Sequence, residues 1–188
     1  MGDTTEIRKG AVIRMNGELY VVTSFQFVNP GKGQAFTKTK LKGITNGKGT
    51  EMTFKSGENV DVVQVDHVNM QYLYKSGDFY SFMNQQTYES SDVSADILDD
   101  DAKYLKEGLN VVASVHDGNV VAIELPKKIT YTVLRAPDAV KGDTASGNVT
   151  KEVELDNGHH IQAPIFIKEG EQILVNTETG EYGGRVTE

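Results

Sequence analysis

One lysine in the sequence is set where its charge can reach a partner. Lys32 lies in Asn29-Pro30-Gly31-Lys32-Gly33-Gln34-Ala35-Phe36. Pro30 fixes φ, and Gly31 and Gly33 remove Cβ bulk on both sides, so the segment is expected to be a tight hairpin tip presenting one ammonium group. From Leu19 to Thr50 there is no carboxylate, while Lys32, Lys38, Lys40, Lys42 and Lys48 all occur there. Strand alternation places Lys38, Lys40 and Lys42 on one face, a basic stripe suited to phosphate oxygens. On the residues alone the loop reads about equally as a flexible turn with a solubilising lysine or as a contact for a polyanion.

Other side chains offer less. His159 and His160 are adjacent on an expected strand and point to opposite faces, which makes a poor joint metal site; with His67 and His116 they are expected at the surface. Asp99, Asp100 and Asp101 fall on consecutive positions of an expected helix and cannot converge on one ion. No Gly-x-Ser-x-Gly elbow, phosphate-binding Gly-Lys-Ser/Thr loop or His-Glu-x-x-His motif occurs. Neither a catalytic residue nor a metal or cofactor site is expected.

The elements that must position Lys32 are short strands. Asn16-Gly17 between two apolar-rich runs predicts a first hairpin; Ser76-Gly77-Asp78, Asp117-Gly118-Asn119 and Asn157-Gly158 predict three more. Helix is scarce: Leu98, Ala102 and Leu105 recur at helical spacing within residues 94–107, with Ser94 as cap and Gly108 as stop. Strand patterns restart near Asp66 and after Pro126, dividing the chain into 1–65, 66–128 and 129–188, each near the lower size limit for an independent core. Tyr72, Tyr74, Phe79, Tyr80 and Phe82 are expected to pack in the central unit rather than stack on bases.

The 188 residues carry a net charge of −8, unevenly spread. Residues 1–65 hold nine basic and six acidic side chains, a surplus of +3, whereas 66–128 and 129–188 come to −6 and −5. A polyanion is therefore expected to meet the first unit. The absence of cysteine removes disulfides and thiol chemistry, and with no apolar run of about 18 residues and no readable signal segment the protein is expected in the cytoplasm, without a membrane.

The chain resembles bacterial translation elongation factor P over essentially its whole length. The resemblance is carried by Pro30-Gly31-Lys32-Gly33-Gln34-Ala35-Phe36, Thr53-Phe54-Lys55-Ser56, Tyr72-Leu73-Tyr74, Gly77-Asp78-Phe79, Phe82-Met83 and Lys141-Gly142-Asp143-Thr144. It continues through a C-terminal signature running from Lys151 to Tyr182. Ala163 stands where the family usually has valine, and Leu174 where it usually has lysine or arginine.

The resemblance implies an all-β fold: an SH3-like (KOW-type) barrel followed by two OB-fold barrels, in an L-shaped outline that mimics tRNA. It implies a monomer that binds the 70S ribosome between the P and E sites, beside peptidyl-tRNA, and relieves stalling at consecutive prolines. On it, Lys32 contacts the acceptor end of the P-site tRNA and is a target for a lysine-modifying enzyme, supported by Pro30, Gly31, Gly33 and Gln34. Gly142, Asp143 and Thr144 form the loop facing the E-site codon, and Lys38, Lys40 and Lys42 meet RNA phosphates. A generic single-stranded RNA-binding protein built from OB folds is the alternative function.

Overall fold

The computed structural model describes residues 2–138 and 149–186, and every strand pairing within them is antiparallel. After a short β1 (Gly2–Asp3), Asn16 (φ 51°) and Gly17 (φ 83°) both take the left-handed region. Such a two-residue turn matches the natural strand twist, and it joins β2 (Val12–Met15) to β3 (Glu18–Val28). β4 (Phe36–Gly43) pairs with β3 on one side and β5 (Gly49–Lys55) on the other. β6 (Asn59–Val60) returns to β1 and β7 (Val62–Val63) to β2. The sheet, in the order β5-β4-β3-β2-β7, closes over a small core that includes Ile13, Val22, Leu41 and Phe54.

The central sheet comprises β8 (Asp66–Ser76), β9 (Phe79–Asn84), β10 (Ser90–Ser94), β11 (Asn110–His116) and β12 (Asn119–Glu124), in the order β10-β9-β8-β11-β12. The last sheet repeats that order with β13 (Lys128–Arg135), β14 (Thr150–Leu155), β15 (His160–Pro164), β16 (Gln172–Asn176) and β17 (Tyr182–Arg185), arranged β15-β14-β13-β16-β17. In both, the first strand is central, with the second and third on one side and the fourth and fifth on the other.

Alternation builds the core. On β13, Ile129, Tyr131 and Val133 are buried while Thr130 and Thr132 face outward. Each fully buried aliphatic side chain of this kind contributes about 1.5–3 kcal/mol relative to exposure. The core of the central sheet is continuous with that of the last sheet, in one cluster running from Met70 to Val175. Ala163 is fully buried in it, and Leu174 is half-buried against Gly183.

The one short helix expected within 94–107 does not form as a continuous element. Ser94 caps as expected, its hydroxyl accepting from the Asp96 N–H at 3.3 Å, but α1 (Ala95–Leu98) lasts one turn. Asp99 takes φ 49°, and residues 99–104 continue as a 3-10 helix. Three consecutive aspartates are poor helix formers, and the break lets Tyr104, which lies off the predicted apolar stripe, join Leu98 and Leu105 in the core.

Candidate nucleic-acid interface

Lys32 is carried on a projecting arm. β2 pairs with β3 only as far as Val21, so from Ser24 onward β3 has β4 on one side and, among the described residues, no strand on the other. Residues 29–35 link β3 to β4, a seven-residue loop wider than the tight tip expected from sequence. Gly33 takes φ 118°, a conformation that favours glycine, while Pro30 packs behind it. The loop is tied to its neighbour: Gln34 Nε2 donates to the Ser56 carbonyl at 3.3 Å, and the Ser56 N–H donates to the Ala35 carbonyl at 2.8 Å. Lys32 is exposed, and among the described residues no carboxylate pairs with it. A Cβ on Gly31 would meet nothing within 4 Å, so the fold itself does not demand glycine there.

The three stripe lysines differ in what they touch. Lys38 lies opposite Gln26 and Thr53 and is exposed. Lys40 lies 3.7 Å from Glu51, both side chains being largely in solvent at 66% and 76% exposure. Such a pair is worth about 0–1 kcal/mol, so a phosphate can compete for this lysine. Lys42 is half-buried and donates to the Asp96 carbonyl of the central unit. Lys42 therefore braces one unit against the next as well as extending the stripe.

The reverse face of the arm holds residues that sequence reasoning missed. Phe25 lies opposite Thr39, which lies opposite Met52; Phe27, Thr37 and Phe54 form the next row. Phe25, Phe27 and Met52 are 47%, 58% and 41% exposed. The available signal was two phenylalanines at i, i+2 inside an acid-free stretch directly before the glycine loop.

Elsewhere, Gly142, Asp143 and Thr144 lie outside the described residues. Of the central aromatics, Tyr72, Tyr80 and Phe82 are buried as expected, but Tyr74 and Phe79 are more than half exposed. Expected at the surface, His159 is instead partly buried, edge-on to Tyr104 with ring centroids 5.6 Å apart. Burial, with the charges of Lys103 and His160, holds its pKa below the ordinary value. His67 Nε2 lies 3.5 Å from Arg8, and His116 and His160 face Asp117 and Glu152. Among the described residues, no three His, Asp or Glu side chains gather as a metal would require, and no helix is long and apolar enough to cross a membrane.

The comparison with known families runs along the chain in order. The elongation factor P KOW-like domain matches residues 3–60, the elongation factor P OB domain 65–123, and the elongation factor P C-terminal domain 129–185. The chain belongs to the elongation factor P family. It is similar to Elongation factor P of Acidothermus cellulolyticus, 41% identical over 185 residues that cover 98% of both chains. Elongation factor P of Moorella thermoacetica is 41% identical over 97% of this chain and 98% of its own, and that of Beutenbergia cavernae 38% identical over 99% and 100%. As a member of the elongation factor P family, the chain is a translation elongation factor, and its three β-units are a KOW-like barrel and two OB-type barrels.

Proposed function

We propose that this elongation factor P family member binds the 70S ribosome between the P and E sites and promotes peptide bond formation at consecutive prolines by positioning the P-site peptidyl-tRNA. The observation that carries this reading is Lys32, exposed and with no carboxylate paired to it among the described residues, within the acid-free stretch Leu19 to Thr50, in a chain whose length is matched in order by the family's three domains. Proline is a poor peptidyl donor and acceptor: its ring fixes φ, and a run of them holds the nascent chain out of line for attack. A factor that relieves this needs no acid or base of its own. Charge-assisted contacts from Lys32 to the acceptor-end backbone lower the orientational cost of a reaction that the ribosome catalyses.

Lys38 and Lys40 hold tRNA or ribosomal RNA phosphates, and Lys42 adds to that field from beside the central unit. Gly142, Asp143 and Thr144 face the E-site codon, where Asp143 accepts from base amino groups. A lysine-directed enzyme extends Lys32, whose glycine neighbours leave the ammonium accessible. The units 1–65, 66–128 and 129–188 give a monomer with the L-shaped outline of tRNA, working in the cytoplasm. The three separate five-stranded sheets support that division.

Synthesis of a proline-run reporter tests the reading. Lys32→Ala is expected to abolish the stimulation, and Lys32→Arg to keep part of it because the charge remains while its shape changes. Unimpaired stimulation by Lys32→Ala removes the tip from the mechanism. Intact mass of the native protein against the recombinant one identifies an extension at Lys32.

A further inference from the structure

We infer that the apolar face of the arm, made by Phe25, Phe27 and Met52, is a stacking platform for unpaired RNA bases; this rests on, and extends, the proposal that the arm works against RNA. Isolated exposed apolar residues are ordinary, but these are contiguous. Phe25, Thr39 and Met52 form one cross-strand row and Phe27, Thr37 and Phe54 the next, all on the face opposite the lysines. Thr37 and Thr39 are buried between the larger side chains, so the surface is a continuous apolar sheet. Thr39 Oγ1, beneath it, has no hydrogen-bond partner, which leaves a polar atom unsatisfied under the patch. The exposure has a structural origin: beyond the end of the β2 pairing, β3 runs past the small core that buries Phe54, and Phe25 and Phe27 are left exposed there.

Charge chooses the occupant. An apolar patch for a protein partner ordinarily carries a rim of both signs. Here Phe25 and Phe27 lie in the stretch from Leu19 to Thr50 that has no carboxylate, with Lys38 and Lys40 on the reverse face of the same sheet. Glu51, the acid next to Met52, points to that reverse face and lies 3.7 Å from Lys40. Aromatic rings beside a positive field are how sequence-tolerant single-strand sites are built. Alternate residues on a strand are about 7 Å apart, twice the roughly 3.4 Å rise between stacked bases, so one base fits between or across the rings of Phe25 and Phe27.

The chain contains no tryptophan, so Phe27→Trp places a single reporter on the platform. Titrating that variant with a short oligoadenylate at low salt is expected to quench its fluorescence, with RNA duplex of the same length quenching little. Pelleting with 70S ribosomes carrying peptidyl-tRNA is expected to show Phe27→Leu weakened about tenfold, as much as Phe27→Ala, because leucine keeps the apolar area and loses the stacking face. Melting temperatures matching the parent confirm that these exposed-site variants fold. Absence of quenching overturns the inference, as does parental ribosome affinity of Phe27→Leu, which assigns the patch to an apolar protein contact. If Lys32→Ala loses proline-run stimulation while Phe27→Leu binds normally, the platform falls and the role of the tip stands.

Discussion

The two seams between the three units are built on opposite principles. Between the central and C-terminal units the cores merge, and the polar groups at the join are satisfied. The Tyr131 hydroxyl donates to the Tyr104 carbonyl, Lys106 Nζ to the Thr130 carbonyl at 2.6 Å, and Asn157 Nδ2 to the Lys103 and Leu105 carbonyls at 2.9 and 3.2 Å. Burial above all, with nearby Asp156 and Tyr104, pushes the Tyr131 phenol well up, so it stays a donor at any working pH.

Between the N-terminal and central units lies a cleft of about 780 Å³. It is crossed by the Lys9–Asp101 ion pair at 2.6 Å and by Lys42 on the Asp96 carbonyl, with Arg8 against His67 nearby. The N-terminal core is a separate cluster. The contrast shows where rigidity resides. The last two units share one core, while the arm-bearing unit reaches the central one across the cleft through an ion pair and a lysine contact that salt or a phosphate can compete for. The final placement of Lys32 then belongs to the complex as much as to the free chain.

The sharpest way to break this comparison is at Tyr131. Tyr131→Ala is expected to cost about 3–5 kcal/mol and, because the core is shared, to lower the melting of central and C-terminal units together. Two separated transitions in calorimetry, only one of them shifted, would show that the cores are independent. Asn157→Ala removes a donor from two carbonyls and is expected to cost about 1–3 kcal/mol at the same seam.

Acid should loosen this seam through His159. Its folded pKa lies below the ordinary 6.5, while the unfolded ring protonates near that value. The unfolded state therefore binds more protons as pH falls through about 6.5, and stability drops there, whereas above it the ring is neutral in both states and contributes no slope. Denaturant titrations across that window should show the loss in the parent and a smaller one in His159→Gln.

The smallest stability effect belongs to the other seam. Lys9→Ala is expected to change stability by no more than about 1 kcal/mol, yet to broaden the distance between labels on the N-terminal and central units. The charge swap Lys9→Asp with Asp101→Lys should restore the parental distribution. A distribution indifferent to all three variants and to salt would mean that the cleft is held by something other than these charges.

Much of the fold was legible because turn chemistry is local. Asn16-Gly17 and Asp117-Gly118 demand positive φ at both residues, and the structure has it at both places. The matching strand orders of the second and third sheets were not legible, since topology depends on long-range pairings that leave no sequence repeat. Residues 94–107 have apolar side chains at helical spacing, but the three consecutive aspartates have poor helix propensity and break the α-helix after Leu98. At the candidate site, the exposure of Lys32 followed from proline and glycine, and the shared face of Lys38, Lys40 and Lys42 from strand alternation. The brace between Lys42 and Asp96 and the exposed Phe25 and Phe27 depend on where the barrel ends and the next unit begins, which no local pattern records.

Position 32 itself gives the most direct test. The chain has no cysteine, so Lys32→Cys accepts a single tethered iron chelate that cleaves nearby nucleic acid by hydroxyl radicals. Bound to ribosomes stalled with a prolyl peptidyl-tRNA, the labelled protein is expected to cleave the acceptor end of the P-site tRNA. Cleavage confined to RNA distant from that end, with the acceptor strand intact, would contradict the account.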